Sequence, residues 1–113
     1  MTATILDGAR ILVIDDSRTT RRYIASMLSD RNAVITEAGD GTAGFGLARD
    51  GAFDLIISDI MMPGISGLEL CSKLKVSPGA RNTPIILISS ETNDEWIEQG
   101  FRAGASAFIN KAE

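Results

Sequence analysis

The chain has 113 residues, of which 44% are hydrophobic and 23% are charged, and these proportions suit one globular domain with a buried core. Its 11 basic and 15 acidic residues give a net charge of −4, which argues against direct binding to nucleic acid or to an anionic membrane surface. Histidine is absent, so a His general base and phosphohistidine formation within this chain are excluded.

Five short apolar segments predict β-strands. They are rich in Ile and Val and do not alternate with polar residues, a pattern typical of strands that are covered on both faces in a parallel sheet. In chain order, they lie at residues 11–14, 34–35, 55–57, 85–88 and 107–110.

Capping residues and apolar spacing predict four helices between these strands. The predicted helix starts are Ser17, Asp40, Ser66 and Thr92, the last in a Thr-x-x-Glu capping box. The expected inward-facing residues of the first three helices are Ile24, Ala25 and Leu28, then Ala43, Leu47 and Ala48, then Leu70, Cys71 and Leu74. Strictly alternating strands and helices require an α/β fold, with a parallel sheet and right-handed crossovers.

Reactive polar residues follow four of the five predicted strands. In chain order, they are Asp15, Asp16, Asp59, Ser89, Ser90 and Lys111. Because the carboxyl ends of parallel strands meet at one edge of a sheet, we expect these side chains to converge. Each of them is common in solvated turns when taken alone, and the inference rests on their ordered spacing. Carboxylates, hydroxyls and one ammonium suit a divalent metal such as Mg2+ together with a phosphoryl group.

Asp59 is the candidate nucleophile of this set. It ends a predicted strand and precedes the turn Met62, Pro63 and Gly64, and as a carboxylate it could form an acyl phosphate. The competing interpretation is a helix or turn cap. Lys111 could pair with a phosphoryl oxygen, or with Asp59 before phosphorylation.

Cysteine usage and the N-terminus predict a cytoplasmic protein with no membrane partner. Cys71 has no second Cys and no His with which to form a redox pair or zinc site, so we expect a structural role. The N-terminus lacks the basic start and long apolar stretch of a signal peptide, and no apolar segment approaches membrane-spanning length.

At the strand ends that carry Asp15, Asp16, Asp59, Ser89 and Lys111, the chain resembles the receiver domain of two-component response regulators. The resemblance runs from about residue 10 to residue 111. It rests on LVIDD at residues 12–16, SDIMMPG at 58–64, ISG at 65–67, ISS at 88–90, and the segment from Gly104 and Ala105 to Lys111. It implies one receiver domain over residues 1–113, with a doubly wound α/β fold whose five parallel strands have the flavodoxin-like order 2-1-3-4-5.

The resemblance also implies a role for each site residue. The implied Mg2+ ligands are Asp15, Asp16, Asp59 and the backbone carbonyl of Met61. The other implied roles are phosphoacceptor for Asp59, switch hydroxyl for Ser89, switch aromatic for Phe108, and phosphate contact for Lys111. Phe108 equally suits a plain core position. The phosphoryl donor is then a histidine kinase or histidine phosphotransfer protein, and phosphorylation shifts the populations of two arrangements that an output domain or partner reads. The resemblance further implies that the only reactions of the chain itself are self-phosphorylation and slow self-dephosphorylation.

The sequence departs from the family pattern at three places. Ala112 stands where a proline normally follows the lysine, so we expect a trans bond or unusual strain between Lys111 and Ala112. Ser66 replaces a common Asp or Asn but can still cap a helix. The sequence stops before the family's fifth helix, so we expect an exposed apolar strip beside the last strand. We expect either a longer protein, or a second copy in a homodimer, to cover that strip.

Two other functions remain open. A metal-dependent phosphohydrolase could use Asp59 as its nucleophile, although the missing histidine leaves it without the commonest acid/base. A flavodoxin-like module could bind FMN phosphate at residues 17–20, although Asp15 and Asp16 would repel the phosphate, and one Trp and one Tyr offer little stacking surface.

Overall fold

All five predicted strands join one parallel sheet in the computed structural model of the chain, which describes residues 7–90 and 94–111. The strands are β1 (Arg10–Ile14), β2 (Val34–Ala38), β3 (Leu55–Asp59), β4 (Ile85–Ser89) and β5 (Ala107–Asn110). The helices are α1 (Arg18–Ser29), α2 (Gly41–Ala48), α3 (Gly67–Lys75) and α4 (Asp94–Arg102). The strand order β2-β1-β3-β4-β5, with every pair parallel, confirms the predicted doubly wound fold.

The apolar strand residues form two clusters, one on each face of the sheet. One cluster joins β1, β3 and β4 to α2, α3 and α4, and its fully buried members include Leu12, Ile56, Leu70 and Leu87. In the second cluster the strands meet α1, the one described helix of that face. Burying one such aliphatic side chain contributes about 1.5–3 kcal/mol to folding, which explains why the strands carry apolar residues on both faces.

Side-chain caps begin three helices where the sequence predicts them. Ser17, Asp40 and Ser66 each accept a hydrogen bond from the backbone N–H three residues further on, at 3.2, 2.7 and 3.1 Å. Such a cap contributes about 1 kcal/mol, and here it also fixes where each helix leaves the carboxyl edge of the sheet. Thr92 and the bond after Lys111, to which two further predictions refer, lie outside the described residues.

The buried face of α2 differs from the prediction. Of the three residues predicted to face inward, Ala48 is buried as expected, but Ala43 and Leu47 are exposed, and Gly41 and Gly44 are buried instead. At Gly44 a Cβ would lie 2.5 Å from Cδ1 of Ile14, so only glycine lets the helix approach β1 this closely. Small residues, together with the partly buried Phe45, therefore form the contact face of α2.

Two other elements refine the predicted pattern. β2 extends through Ala38, three residues beyond the predicted segment, because it pairs with β1 along the whole length of that strand. In α1, Ile24 and Leu28 pack against the sheet as predicted, and Ala25 is partly buried like both of them. The prediction for α3 is confirmed, since Leu70, Cys71 and Leu74 are all buried.

An apolar groove of about 390 Å³ lies beside β5, on the α1 face of the sheet. Apolar side chains of α1, β3, β4 and β5 line it, and Tyr23, Met27 and Ile109 are exposed there. The expected apolar strip beside the last strand is thus present among the described residues. None of the described helices is both long enough and apolar enough to cross a lipid bilayer.

Candidate metal and phosphoryl site

Three carboxylates converge at the carboxyl edge of the sheet. Asp15 directly follows β1, Asp59 is the last residue of β3, and these two strands are neighbours. One carboxylate oxygen from each of Asp15, Asp16 and Asp59 lies within 4.8 Å of the others. Asp15 and Asp59 are buried and Asp16 is exposed, so the cluster has one side toward the core and one toward solvent.

Asp15 is held at three points. Its N–H donates to the carbonyl of Ala38 at 3.1 Å, which continues the pairing of β1 with β2. Its Oδ1 accepts from the N–H of Ser17 at 2.8 Å, and its carbonyl accepts from Nη1 of Arg21 at 2.6 Å. The start of α1 therefore fixes both the backbone and the side chain of Asp15.

Lys111 enters the cluster from the end of β5. Its Nζ lies 2.8 Å from Oδ2 of Asp15 and 3.2 Å from Oδ2 of Asp59. Its backbone N–H donates to the carbonyl of Ser89 at 2.8 Å, which holds the end of β5 beside the end of β4. The sequence predicted the pairing with Asp59, but the shorter contact is the one with Asp15.

The pKa shifts show how the cluster shares its charge. Burial raises the pKa of Asp59 and the nearby Asp15 carboxylate raises it further, while Lys111 and a backbone hydrogen bond from Met61 oppose this rise. Burial alone disfavours the Lys111 ammonium, but Asp15 and Asp59 outweigh it, so the pKa of Lys111 is raised and the side chain stays charged at neutral pH. One ammonium thus faces three carboxylates, and the excess negative charge favours an added cation.

The donor set of Asp15, Asp16 and Asp59 fits Mg2+. Magnesium prefers a few carboxylate oxygens and completes its shell with waters and phosphate oxygens. The exposed side of the cluster, at Asp16, leaves room for such ligands. The three residues could therefore hold the metal that the sequence predicts.

The turn after Asp59 depends on a glycine at the start of α3. The N–H of Gly67 donates to the carbonyl of Ile60 at 2.9 Å, and this bond folds the turn back onto the end of β3. Gly67 is buried, and a Cβ at this position would overlap the carbonyl oxygen of Asp59. Met61 lies in this turn with an exposed side chain, so any contribution to the site comes from its backbone.

Ser89 and Phe108 lie on the strands beyond Asp59. The β3–β4 register pairs Asp59 with Ile88, which places buried Ser89 one residue further along β4. Phe108 pairs with Leu87 in the β4–β5 register and packs, partly buried, against the core on the α2-α3-α4 face. Its position therefore suits a core residue, and the switch role of Phe108 stays a prediction. Ser90 is exposed.

Sequence reasoning missed Arg21 and Glu37. Besides its bond to the carbonyl of Asp15, Arg21 donates from Nε to Oε1 of Glu37 at 3.2 Å. The available signal was a glutamate in β2 and an arginine one turn into α1, but their contact depends on strand register and side-chain rotamers.

Cys71 has the structural role predicted for it. It is a free cysteine, fully buried in the core on the α3 face. Burial raises the pKa of its thiol to about 11, so the reactive thiolate form is scarce at neutral pH.

Comparison with known proteins gives one consistent family. A family model described as "Response regulator receiver domain" matches residues 11–113. The chemotaxis protein CheY-3 of Vibrio cholerae is 30% identical over 112 residues, which cover 98% of this chain and 86% of CheY-3. Response regulator PleD of Caulobacter vibrioides is 36% identical over 104 residues, which cover 92% of this chain but 23% of PleD.

A solved structure extends the similarity to the fold. The receiver domain of the histidine kinase CKI1 from Arabidopsis thaliana, complexed with Mg2+ and BeF3−, matches with a TM-score of 0.86 at 25% identity. The match covers 95% of this chain and 83% of that domain.

Proposed function

Since the chain belongs to the family of response regulator receiver domains, we propose that it accepts a phosphoryl group on Asp59 in a reaction that requires Mg2+. Receiver domains are phosphoacceptors rather than true enzymes, and histidine kinases supply their phosphoryl groups. The observation that carries the proposal is the cluster itself, in which Asp59 lies among two further carboxylates and one ammonium.

The proposed reaction is a direct transfer to the Asp59 carboxylate. One carboxylate oxygen bonds to phosphorus while the bond from phosphorus to the donor nitrogen of a phosphohistidine breaks, and the imidazole leaves with the electron pair. Lys111, already 3.2 Å from Asp59, then pairs with a phosphoryl oxygen. Asp15, Asp16, Asp59 and the backbone carbonyl of Met61 would hold Mg2+, which would supply positive charge beside the phosphoryl oxygens.

Ser89 and Phe108 are the proposed switch. Ser89 donates its hydroxyl to the phosphoryl group, and Phe108 then changes its packing between β5 and α4. The end of β4 and the β5 strand thus differ between the two states, and an output domain or partner protein that prefers one state shifts the population.

The proposed donor is a histidine kinase or a histidine phosphotransfer protein. The chain contains no histidine, so the phosphohistidine has to be on that partner. We place the protein in the cytoplasm, a reducing compartment in which the free thiol of Cys71 persists. The acyl phosphate is lost by slow self-dephosphorylation.

Intact-mass measurement after incubation with Mg2+ and a small phosphodonor tests the proposal. The native chain is expected to gain the mass of one phosphoryl group, and Asp59→Asn is expected to gain none. Asp54→Asn is the matched control, because Asp54 lies at the opposite end of β3. There its carboxylate accepts a hydrogen bond from the backbone N–H of Arg10 at 2.9 Å.

Two results would count against the proposed function, and a third would show that the loss in Asp59→Asn is not specific to Asp59. Undiminished uptake by Asp59→Asn would remove Asp59 from its role, and loss of uptake in Asp54→Asn as well would point to a general effect on folding. Rapid, repeated hydrolysis of a small phosphate ester would indicate a phosphohydrolase instead.

A further inference from the structure

We propose that Arg21 is a positioning residue for the metal site, because it holds the peptide group between Asp15 and Asp16. The inference rests on the proposed function, since the ligand that it orients is a proposed ligand of Mg2+. Arg21 does not belong to the carboxylate cluster. It acts on that cluster through one backbone oxygen.

The guanidinium of Arg21 connects three elements of the fold. Its side chain is only 17% exposed, and its backbone N–H donates to the carbonyl of Ser17 at 3.0 Å within the first turn of α1. Nη1 donates to the carbonyl of Asp15 at 2.6 Å, and Nε donates to Oε1 of Glu37 in β2 at 3.2 Å. A single side chain thus ties α1, the end of β1 and β2 together.

The bond to the Asp15 carbonyl orients the backbone that carries Asp16. A peptide group is planar, so fixing the carbonyl oxygen of Asp15 also fixes the plane that carries the N–H of Asp16. Asp15 is already held through its N–H and its Oδ1. The next backbone rotation toward Asp16 is therefore the one that turns this peptide plane. Asp16 is exposed, so its direction depends on the backbone that carries it rather than on packing.

Glu37 makes an arginine tolerable beside a cation site. An uncompensated positive charge near the three carboxylates would weaken the binding of Mg2+. The Glu37 carboxylate pairs with Arg21 and so offsets this charge. Arg22 also approaches Glu37, with Nε 3.6 Å from Oε2, but its side chain is 63% exposed.

When Arg21 is replaced by glutamine, an electrostatic role and a positioning role predict opposite changes in the affinity for Mg2+. Removal of a positive charge near the carboxylates should by itself tighten Mg2+ binding. Loss of the bond to the Asp15 carbonyl should weaken binding, because Asp16 is no longer held in place. The sign of the change therefore separates a positioning role from an electrostatic one.

Calorimetric titration of Mg2+ into the full chain, without phosphodonor, measures whether the dissociation constant for Mg2+ rises or falls. Arg21→Gln is expected to raise the dissociation constant about three- to tenfold, the effect of losing one hydrogen bond that orients a ligand. Arg22→Gln is the matched control, because it removes the same charge one residue away. Its dissociation constant is expected to stay the same or to fall slightly.

Phosphodonor uptake gives a second readout. In Arg21→Gln, the Mg2+ concentration for half-maximal uptake should rise by the same factor. The rate at saturating Mg2+ should stay close to that of the native chain, since Asp59 and Lys111 are untouched. A purely structural defect would lower the saturated rate instead.

The outcomes separate this inference from the proposed function. If the native chain binds Mg2+ and Arg21→Gln binds it equally well or more tightly, the positioning role is wrong and the proposed function stands. An equal loss of affinity in Arg22→Gln also overturns the role. If the native chain binds no Mg2+, both proposals fail.

Arg21→Lys decides the question if Arg21→Gln does not fold. It keeps the charge, but one ammonium cannot hold Glu37 and the Asp15 carbonyl in the fixed geometry of a guanidinium. We expect a dissociation constant above that of the native chain. An unchanged value would overturn the inference.

Discussion

Asp59 combines burial with a position among like charges. Its raised pKa means that the folded chain opposes its ionisation, first through burial and then through Asp15. A group of this kind costs stability whenever it is charged. The fold carries that cost at the residue whose carboxylate is the proposed nucleophile.

Asp59→Asn is therefore expected to stabilise the metal-free chain at neutral pH. Lys111 keeps a partner in this variant, because its contact with Asp15 at 2.8 Å remains. Denaturant unfolding without Mg2+ measures the change, which should appear as a higher midpoint than in the native chain. Asp54→Asn, with an exposed aspartate at the other end of β3, should change the midpoint little.

The pH dependence of this gain follows from the direction of the pKa shift. Above the raised pKa, Asp59 is ionised in both the folded and the unfolded chain, so the gain from Asp59→Asn is full. As the pH falls through the raised pKa toward about 4, the ordinary value in the unfolded chain, the folded chain binds its proton first and the gain disappears. A gain that grows with acidity would contradict the assigned shift.

At the level of elements, the turn between β3 and α3 depends on close backbone packing. Gly67 begins α3 directly against the carbonyl of Asp59. Gly46 offers a comparison, because it is a helical glycine in α2 with nothing within 4 Å of an added Cβ. The same substitution should thus have opposite effects at the two positions.

Gly67→Ala is expected to destabilise the fold by about 1–3 kcal/mol, because the new methyl group displaces the end of β3. Gly46→Ala is expected to stabilise it by about 0.5–1 kcal/mol through lower chain entropy and better helix propensity. Denaturant unfolding of both variants measures the free energies. A neutral Gly67→Ala would show that the turn is free to move away from Asp59.

Most of the fold could be predicted from the sequence, because strand burial and helix caps leave local signals. The buried face of α2 could not be predicted, because Gly, Ala, Phe and Leu make that helix apolar on every side. The spacing of its apolar residues therefore does not indicate which face is buried. The full length of β2 was also missed. It is an edge strand, so Thr36 and Glu37 interrupt its apolar pattern while the pairing with β1 continues.

The candidate site could also be predicted from the sequence only in part. The carboxylates and Lys111 could be predicted to converge because each follows a strand end, and the parallel topology brings those ends together. The contact of Arg21 with the Asp15 carbonyl could not. It joins a side chain to a backbone atom of another element, and no residue type marks such a backbone acceptor.

For the whole molecule, the two faces of the sheet are unequally covered. Three helices pack on one face, whereas α1 is the described helix of the other. The apolar groove beside β5 follows from this difference. We expect it either to bind a hydrophobic dye in the monomer or to join two copies of the chain.

Met27→Glu tests the groove at a position outside the metal site. Met27 lines the groove and is 48% exposed, so a carboxylate there should reduce dye binding or convert a dimer to a monomer. Val76→Glu is the control, because Val76 is 82% exposed and does not line the groove. A native chain that is monomeric and binds no dye would contradict the expectation.

The most direct test of phosphoryl acceptance at Asp59 is to identify which aspartate carries the group. Borohydride reduces an aspartyl phosphate to homoserine, and peptide mass mapping then locates the altered residue. After incubation with Mg2+ and a phosphodonor, we predict homoserine at position 59 alone, and none when Mg2+ is removed. Homoserine at position 15 or 16, or equal labelling of position 59 without Mg2+, would contradict Mg2+-dependent phosphoryl acceptance at Asp59.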